Sequence, residues 1–115
     1  MAHDPKQLKA VFERACPPHI ETRFKPMFGG IIAYAFDTPC CSLSDVGLAL
    51  KLVGADHAEL LATAGAERLR YAQDQPLSKT YVVVPEAMLD DPQMLGAWIE
   101  RAATGAKAKT SKRRA

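Results

Sequence analysis

The sequence predicts an α+β fold: a single domain built on a twisted antiparallel sheet of five to six strands, with helices on one face. Three observations lead there. Residues 31–36 (IIAYAF) are an unbroken apolar run that follows Gly29-Gly30 and stops at Asp37-Thr38-Pro39. Six residues are short for a helix, and the β-forming composition suits a strand covered on both faces. Leu48, Leu50 and Leu52 then alternate with Ala49, Lys51 and Val53, which is the period of a strand with its leucine face on a core. Helical spacing appears near the two ends, in Leu8, Val11, Phe12 and Ala15 and again in Leu95, Trp98, Ile99 and Ala102.

The elements follow in the order helix, three or four strands, helix, two strands, helix. Asp4 is a suitable N-cap, Pro5 suits the first helical position and Gln7 stands where a capping-box partner belongs; Cys16-Pro17-Pro18 ends this helix. Residues 21–28 read as an edge strand, because Pro26 lacks a ladder donor. After the run at 31–36 come a short strand at 40–44, a tight turn at Asp45-Val46-Gly47 and a strand at 48–53. Such short connections make neighbouring strands antiparallel. Asp56 is placed to cap a second helix, with Glu59 completing a capping box, Leu60, Leu61 and Ala64 facing inward and Gly65 ending it. Residues 67–72 alternate Leu69 and Tyr71 against Arg68 and Arg70, a half-buried strand. Residues 73–77 are a polar turn, 80–84 a well-buried strand and 85–89 one helical turn. Asp91-Pro92 starts the last helix, with Trp98 as its core anchor.

At 115 residues the chain is one domain, spanning 1–104, followed by a basic tail at 105–115. That tail has no apolar residue larger than alanine and is expected to be disordered. The net charge of +2 conceals an asymmetry. Lys107, Lys109, Lys112, Arg113 and Arg114 all lie in the tail; without them ten basic residues face thirteen acidic ones, a net −3. Attraction to nucleic acid is therefore expected in the tail. No apolar run reaches the roughly 20 residues of a membrane span, no secretory signal pattern opens the chain, and three cysteines do not make a disulfide framework. A cytoplasmic home fits these features.

Several residues invite a sharper chemical reading. Cys16, His19 and Cys40 are a conceivable zinc set, and a Cys-His pair drawn from them a conceivable nucleophile, but no C-x-x-C spacing, oxyanion hole or orienting carboxylate accompanies them. Cys40 and Cys41 are neighbours on a strand and point to opposite faces, which places one in the core and leaves the other half-exposed. His3 and His57 are isolated. Arg68 and Arg70, interleaved with Tyr71, are either a nucleic-acid-facing strand or a solvated face. Gly29-Gly30 lacks the spacing of a phosphate loop. No cofactor, metal or catalytic residue is expected.

The segment Met27-Phe28-Gly29-Gly30, the hairpin of alternating leucines, the strand end Tyr81-Val82-Val83-Val84-Pro85-Glu86 and the Asp91-Pro92…Leu95…Trp98 helix together resemble the N-terminal domain of the competence regulator TfoX, also called Sxy. The likeness runs from about Val11 to Ala103. It implies an α+β domain with a curved antiparallel sheet, a bacterial origin and a role in transcriptional control of DNA uptake beside the cyclic-AMP receptor protein. Full-length regulators of this family also carry a C-terminal domain, and residues 37–41 stand where such sequences show an Asp-Gly hairpin turn.

The expected function is thus a non-enzymatic regulatory or interaction domain. Because the strand at 31–36 is apolar on both sides, the sheet face left bare by the helices calls for cover from a second subunit. Ile32, Tyr34 and Phe36, or alternatively Ile31, Ala33 and Ala35, are the expected dimer contacts. Two alternatives stand beside this reading: weak, sequence-indifferent nucleic-acid binding through Lys107, Lys109, Lys112, Arg113 and Arg114, and a cysteine-dependent enzyme or metal protein.

Overall fold

A computed structural model describes residues 3–27, 30–70 and 78–114, with the side chains of Met27 and of residues 106–114 outside that description. The chain forms α1 (Pro5–Ala15), β1 (Thr22–Met27), β2 (Gly30–Ala35), β3 (Thr38–Ser44), β4 (Gly47–Lys51), α2 (Gly54–Leu61), β5 (Glu67–Arg68), β6 (Tyr81–Val83), α3 (Glu86–Leu89) and α4 (Pro92–Arg114). The six strands make one sheet in the order β1-β2-β3-β4-β6-β5, and every pairing is antiparallel. The predicted class and element order therefore hold.

Each helix contributes to one core. Leu8, Phe12 and Ala15 of α1, Leu60 of α2, Met88 of α3 and Leu95, Ile99, Ala102 and Ala103 of α4 join Ala33, Ala35, Cys41, Leu43, Leu48, Leu50 and Val82 of the sheet in a single cluster. Those sheet residues share one face through direct cross-strand pairing, for example Ala33 with Cys41, Cys41 with Leu50 and Leu50 with Val82. This is the inner face. The helices α1 and α4 cross close together above it: a methyl added at Gly96 would lie 2.4 Å from the Ala15 carbonyl oxygen.

The caps show why the terminal helices were legible. The Asp4 carboxylate accepts a hydrogen bond from the Lys6 amide at 2.9 Å, with Pro5 in the first turn, and the Asp91 carboxylate accepts one from the Met94 amide at 3.1 Å. Both satisfy amides that a helix start leaves unpaired. The edge strand β1 is also where it was expected. The Phe36 amide donates to the Glu21 carbonyl at 3.3 Å, which fixes the alternation of the ladder so that Pro26 sits at a position facing away from β2. Its missing donor costs the ladder nothing and blunts the sheet edge.

Several expectations are corrected. The turn between β2 and β3 is Phe36-Asp37, not Asp37-Thr38-Pro39, and β3 begins at Thr38. Phe36 and Asp37 have φ of 53° and 64°, the left-handed backbone of a two-residue type I′ hairpin turn, achieved without glycine. Phe36 thereby leaves the strand and packs its ring against the inner core. Opposite Ala33 and Tyr34 the register skips, pairing Ala33 with Cys41 and Tyr34 with Pro39. Cys40 is the extra residue of a β-bulge, which also accommodates Pro39. The bulge breaks the alternation between the two cysteines, so both join the core instead of one being half-exposed.

The second helix is capped by Val53 with no side-chain bond, and Asp56 lies inside its first turn. Gly54, at φ 61°, lets the chain enter the helix three residues early. The helix also stops early, at Leu61, so Ala64 is exposed rather than inward-facing. Of the strand expected at 67–72, the described residues 67–70 hold only the two residues of β5; Tyr71, residue 72 and the turn at 73–77 lie outside the described residues. Trp98 is half-buried at the rim of the core rather than its anchor, with the Arg101 guanidinium 4.3 Å from its ring centroid. Finally, α4 runs to Arg114, so the backbone of the segment expected to be disordered continues the helix, as its alanine, lysine and arginine content favours.

Candidate functional site

The three cysteines are drawn towards one region but are poor nucleophiles. Cys40 and Cys41 are buried in the bulge, and Cys16 is half-buried at the end of α1, where its thiol lies 3.6 Å from the Pro17 carbonyl. Burial pushes the Cys40 thiol up from 9.0 to about 12, with the neighbouring Cys16 adding to the shift. Burial also raises Cys41 well above its ordinary value and raises Cys16. Thiolate is the reactive and metal-binding form, so each shift works against a cysteine nucleophile at neutral pH. His19 of the conceivable zinc set stands on the surface, 3.1 Å from Glu100. Among the described residues no group of three or more His, Cys, Asp or Glu side chains is placed to hold a metal ion.

A cleft of about 300 Å³ opens beside the N-terminus, lined by His3, Asp4, Gln7, Leu8, Val11, Leu89 and Asp90. Two of its polar residues, His3 and Asp4, have structural work. The His3 amide donates to the Asp45 carbonyl at 2.9 Å and His3 Nε2 lies 2.7 Å from Glu86 Oε1, which ties the chain start to the β3–β4 turn and to α3. Asp4 caps α1.

The two arginines of the expected 67–72 strand are placed differently. Arg68 pairs with Val82 on the inner side of the sheet and its Nε donates to the Ser78 carbonyl at 2.9 Å, a contact that closes the β5–β6 connection. Arg70 is exposed beyond the end of β5. Lys107, Lys109, Lys112, Arg113 and Arg114 lie on the last turns of α4, with side chains outside the described residues.

The outer sheet face remains, and it is built differently. Directly paired residues carry one row across all six strands: Lys25, Ile32, Ser42, Ala49, Val83 and Glu67. A second row, two residues along, includes Arg23 and Tyr34 at one side and Lys51 and Tyr81 at the other. The centre of the face is small and buried, at Ser42 and Ala49, while Ile32, Tyr34, Tyr81 and Val83 are half-buried around it. Lys25 lies over the Tyr34 ring, 5.3 Å from its centroid. Of the expected dimer residues, Ile32 and Tyr34 share this face. Phe36 does not, having moved into the turn, and Ala33 and Ala35 belong to the closed inner core, with Ile31 packed at its margin. Sequence alternation pointed to Ile32 and Tyr34; it could not find Val83, Tyr81, Lys25 or Glu67, which join them only through cross-strand register.

The family model for the TfoX N-terminal domain matches residues 4–106, nearly the whole of the folded body. No curated protein and no solved structure matches the chain. Among the described residues no helix is long and apolar enough to cross a membrane.

Proposed function

The chain belongs to the TfoX N-terminal domain family, and on that premise we propose that it is a non-enzymatic regulatory domain acting in the control of transcription. It works by contact, and its first partner is a second copy of itself. The observation that carries this reading is the contrast between the sheet's faces. The inner face is filled by four helices; the outer one presents half-buried aliphatic and tyrosyl side chains around a small centre, a composition suited to close approach by another surface. The raised thiol pKa values support contact over covalent chemistry. Light scattering at tens of micromolar tests the reading: twice the 12.5 kDa chain mass is expected, and a monomer at that concentration overturns it.

A second reading rests on the course of α4. Its helical continuation to Arg114 carries Lys107, Lys109, Lys112, Arg113 and Arg114 on one rod, which favours neutralisation of a phosphate backbone. Binding of this kind is weak and indifferent to base sequence, roughly 10⁻⁴–10⁻⁶ M at physiological salt. A DNA titration of the wild type and of a variant with all five replaced by Gln tests it. Loss of binding in the variant supports the reading; sequence-selective binding that survives places the site elsewhere.

A further inference from the structure

The outer row has a chemical symmetry that the reading of a self-associating sheet does not require. From β1 to β5 it runs Lys25, Ile32, Ser42, Ala49, Val83, Glu67. About the seam between β3 and β4 the two halves correspond: small Ser42 with small Ala49, β-branched Ile32 with β-branched Val83, and the positive end Lys25 with the negative end Glu67. In the next row Tyr34 on β2 and Tyr81 on β6 stand equally far from the same seam, while Pro39 and Lys51 between them do not correspond.

Resting on the dimer reading above, we infer that two copies pack outer face to outer face about a two-fold axis parallel to the strands and over the β3–β4 seam. Each Lys25 is thereby brought against Glu67 of the other copy. An isologous contact requires a self-complementary patch, and only this axis makes the row so. It reverses strand order while keeping each residue at its own height, so Ile32 faces Val83, Tyr34 faces Tyr81 and opposite charges meet at both ends. A two-fold axis perpendicular to the strands would keep the strand order and set Lys25 against the β1 edge of the other copy, like charge on like. Face-to-face sheets pack about 10 Å apart, within reach of a lysine and a glutamate at the rim. Lys25 and Glu67 are both exposed in the single chain. They are separated by five strand spacings, about 24 Å, too far to form an ion pair within one molecule.

That separation makes charge exchange decisive. Lys25→Glu, Glu67→Lys and the double exchange are compared with the wild type by sedimentation at several concentrations and at low and high salt, with circular dichroism as the check on folding. Each single reversal is expected to weaken the dimer roughly tenfold at low salt, less at high salt, because it sets like charges together twice per dimer. The double exchange is expected to restore wild-type association, since the reversed ends again meet as opposites. A wild-type dimer indifferent to the single changes, or not restored by the double exchange, overturns this arrangement and leaves the dimer reading standing. A monomeric wild type overturns both.

Discussion

The two faces of the sheet share every strand and yet are built to different ends. The inner face carries leucines at 43, 48 and 50, and four helices close over them. The outer face has serine and alanine at its centre, larger side chains around it, and charges at its two ends. A face that must hold the fold wants volume and interdigitation. One that receives another surface wants a shape and charge pattern that can be matched from outside. The same backbone alternation supplies both, so substitutions one residue apart on a strand should separate stability from association.

Phe12→Ala tests the inner side hardest. Phe12 is fully buried and its ring meets Phe24 edge-on, with centroids 5.7 Å apart. Its loss should cost about 3–5 kcal/mol, read as a shift of the urea midpoint. A loss within the range of surface substitutions would show that α1 is not a structural lid.

The buried thiols give a pH signature. The folded-state value of Cys40 is raised from 9.0 to about 12, so between those values the unfolded chain gives up this proton while the folded chain keeps it. Stability conferred by the neutral buried thiol is fully present below pH 9 and falls as pH rises towards 12, by ~1.4 kcal/mol per unit at most. Denaturation midpoints across that window should fall less steeply for Cys40→Ala than for the wild type. Parallel curves would mean that Cys40 reaches solvent.

A smaller effect is expected at the helix crossing. Gly96→Ala would place a methyl 2.4 Å from the Ala15 carbonyl oxygen, and backbone must move to admit it. The expected loss is about 1–3 kcal/mol, with no change in dimerisation per folded chain because the crossing lies on the far side of the sheet. Weakened association without lost stability would break the comparison.

What could be read from the sequence was whatever one stretch of chain decides for itself. Asp4-Pro5 and Asp91-Pro92 announce helix starts because the cap bonds are made within three residues, and Pro26 marks an edge because its missing donor is a local fact. Phe36 at positive φ carries no such mark: nothing in its chemistry favours that backbone, and the turn is set by the strands it joins. Asp56 lost the cap to Val53 because Gly54 turned the chain sooner. The bulge at Cys40 depends on register against β2. The candidate site was legible only in part for the same reason. Ile32 and Tyr34 follow from alternation within one strand, but their counterparts Val83 and Tyr81 reach the outer face because β6 inserts between β4 and β5, where Val83 pairs with Ala49 and Tyr81 with Lys51, 34 and 30 positions away.

Ile32→Lys asks directly whether the outer face is for association rather than for folding. Ile32 stands in the middle of the half-buried flank, between Lys25 and Ser42 in the row. A lysine there can extend its charge to solvent in a monomer but not under a second sheet. Sedimentation of this variant at tens of micromolar, beside its circular dichroism spectrum, should show a folded monomer where the wild type is a dimer. A folded variant that still dimerises like the wild type, or one that cannot fold at all, would contradict the assignment of the outer face.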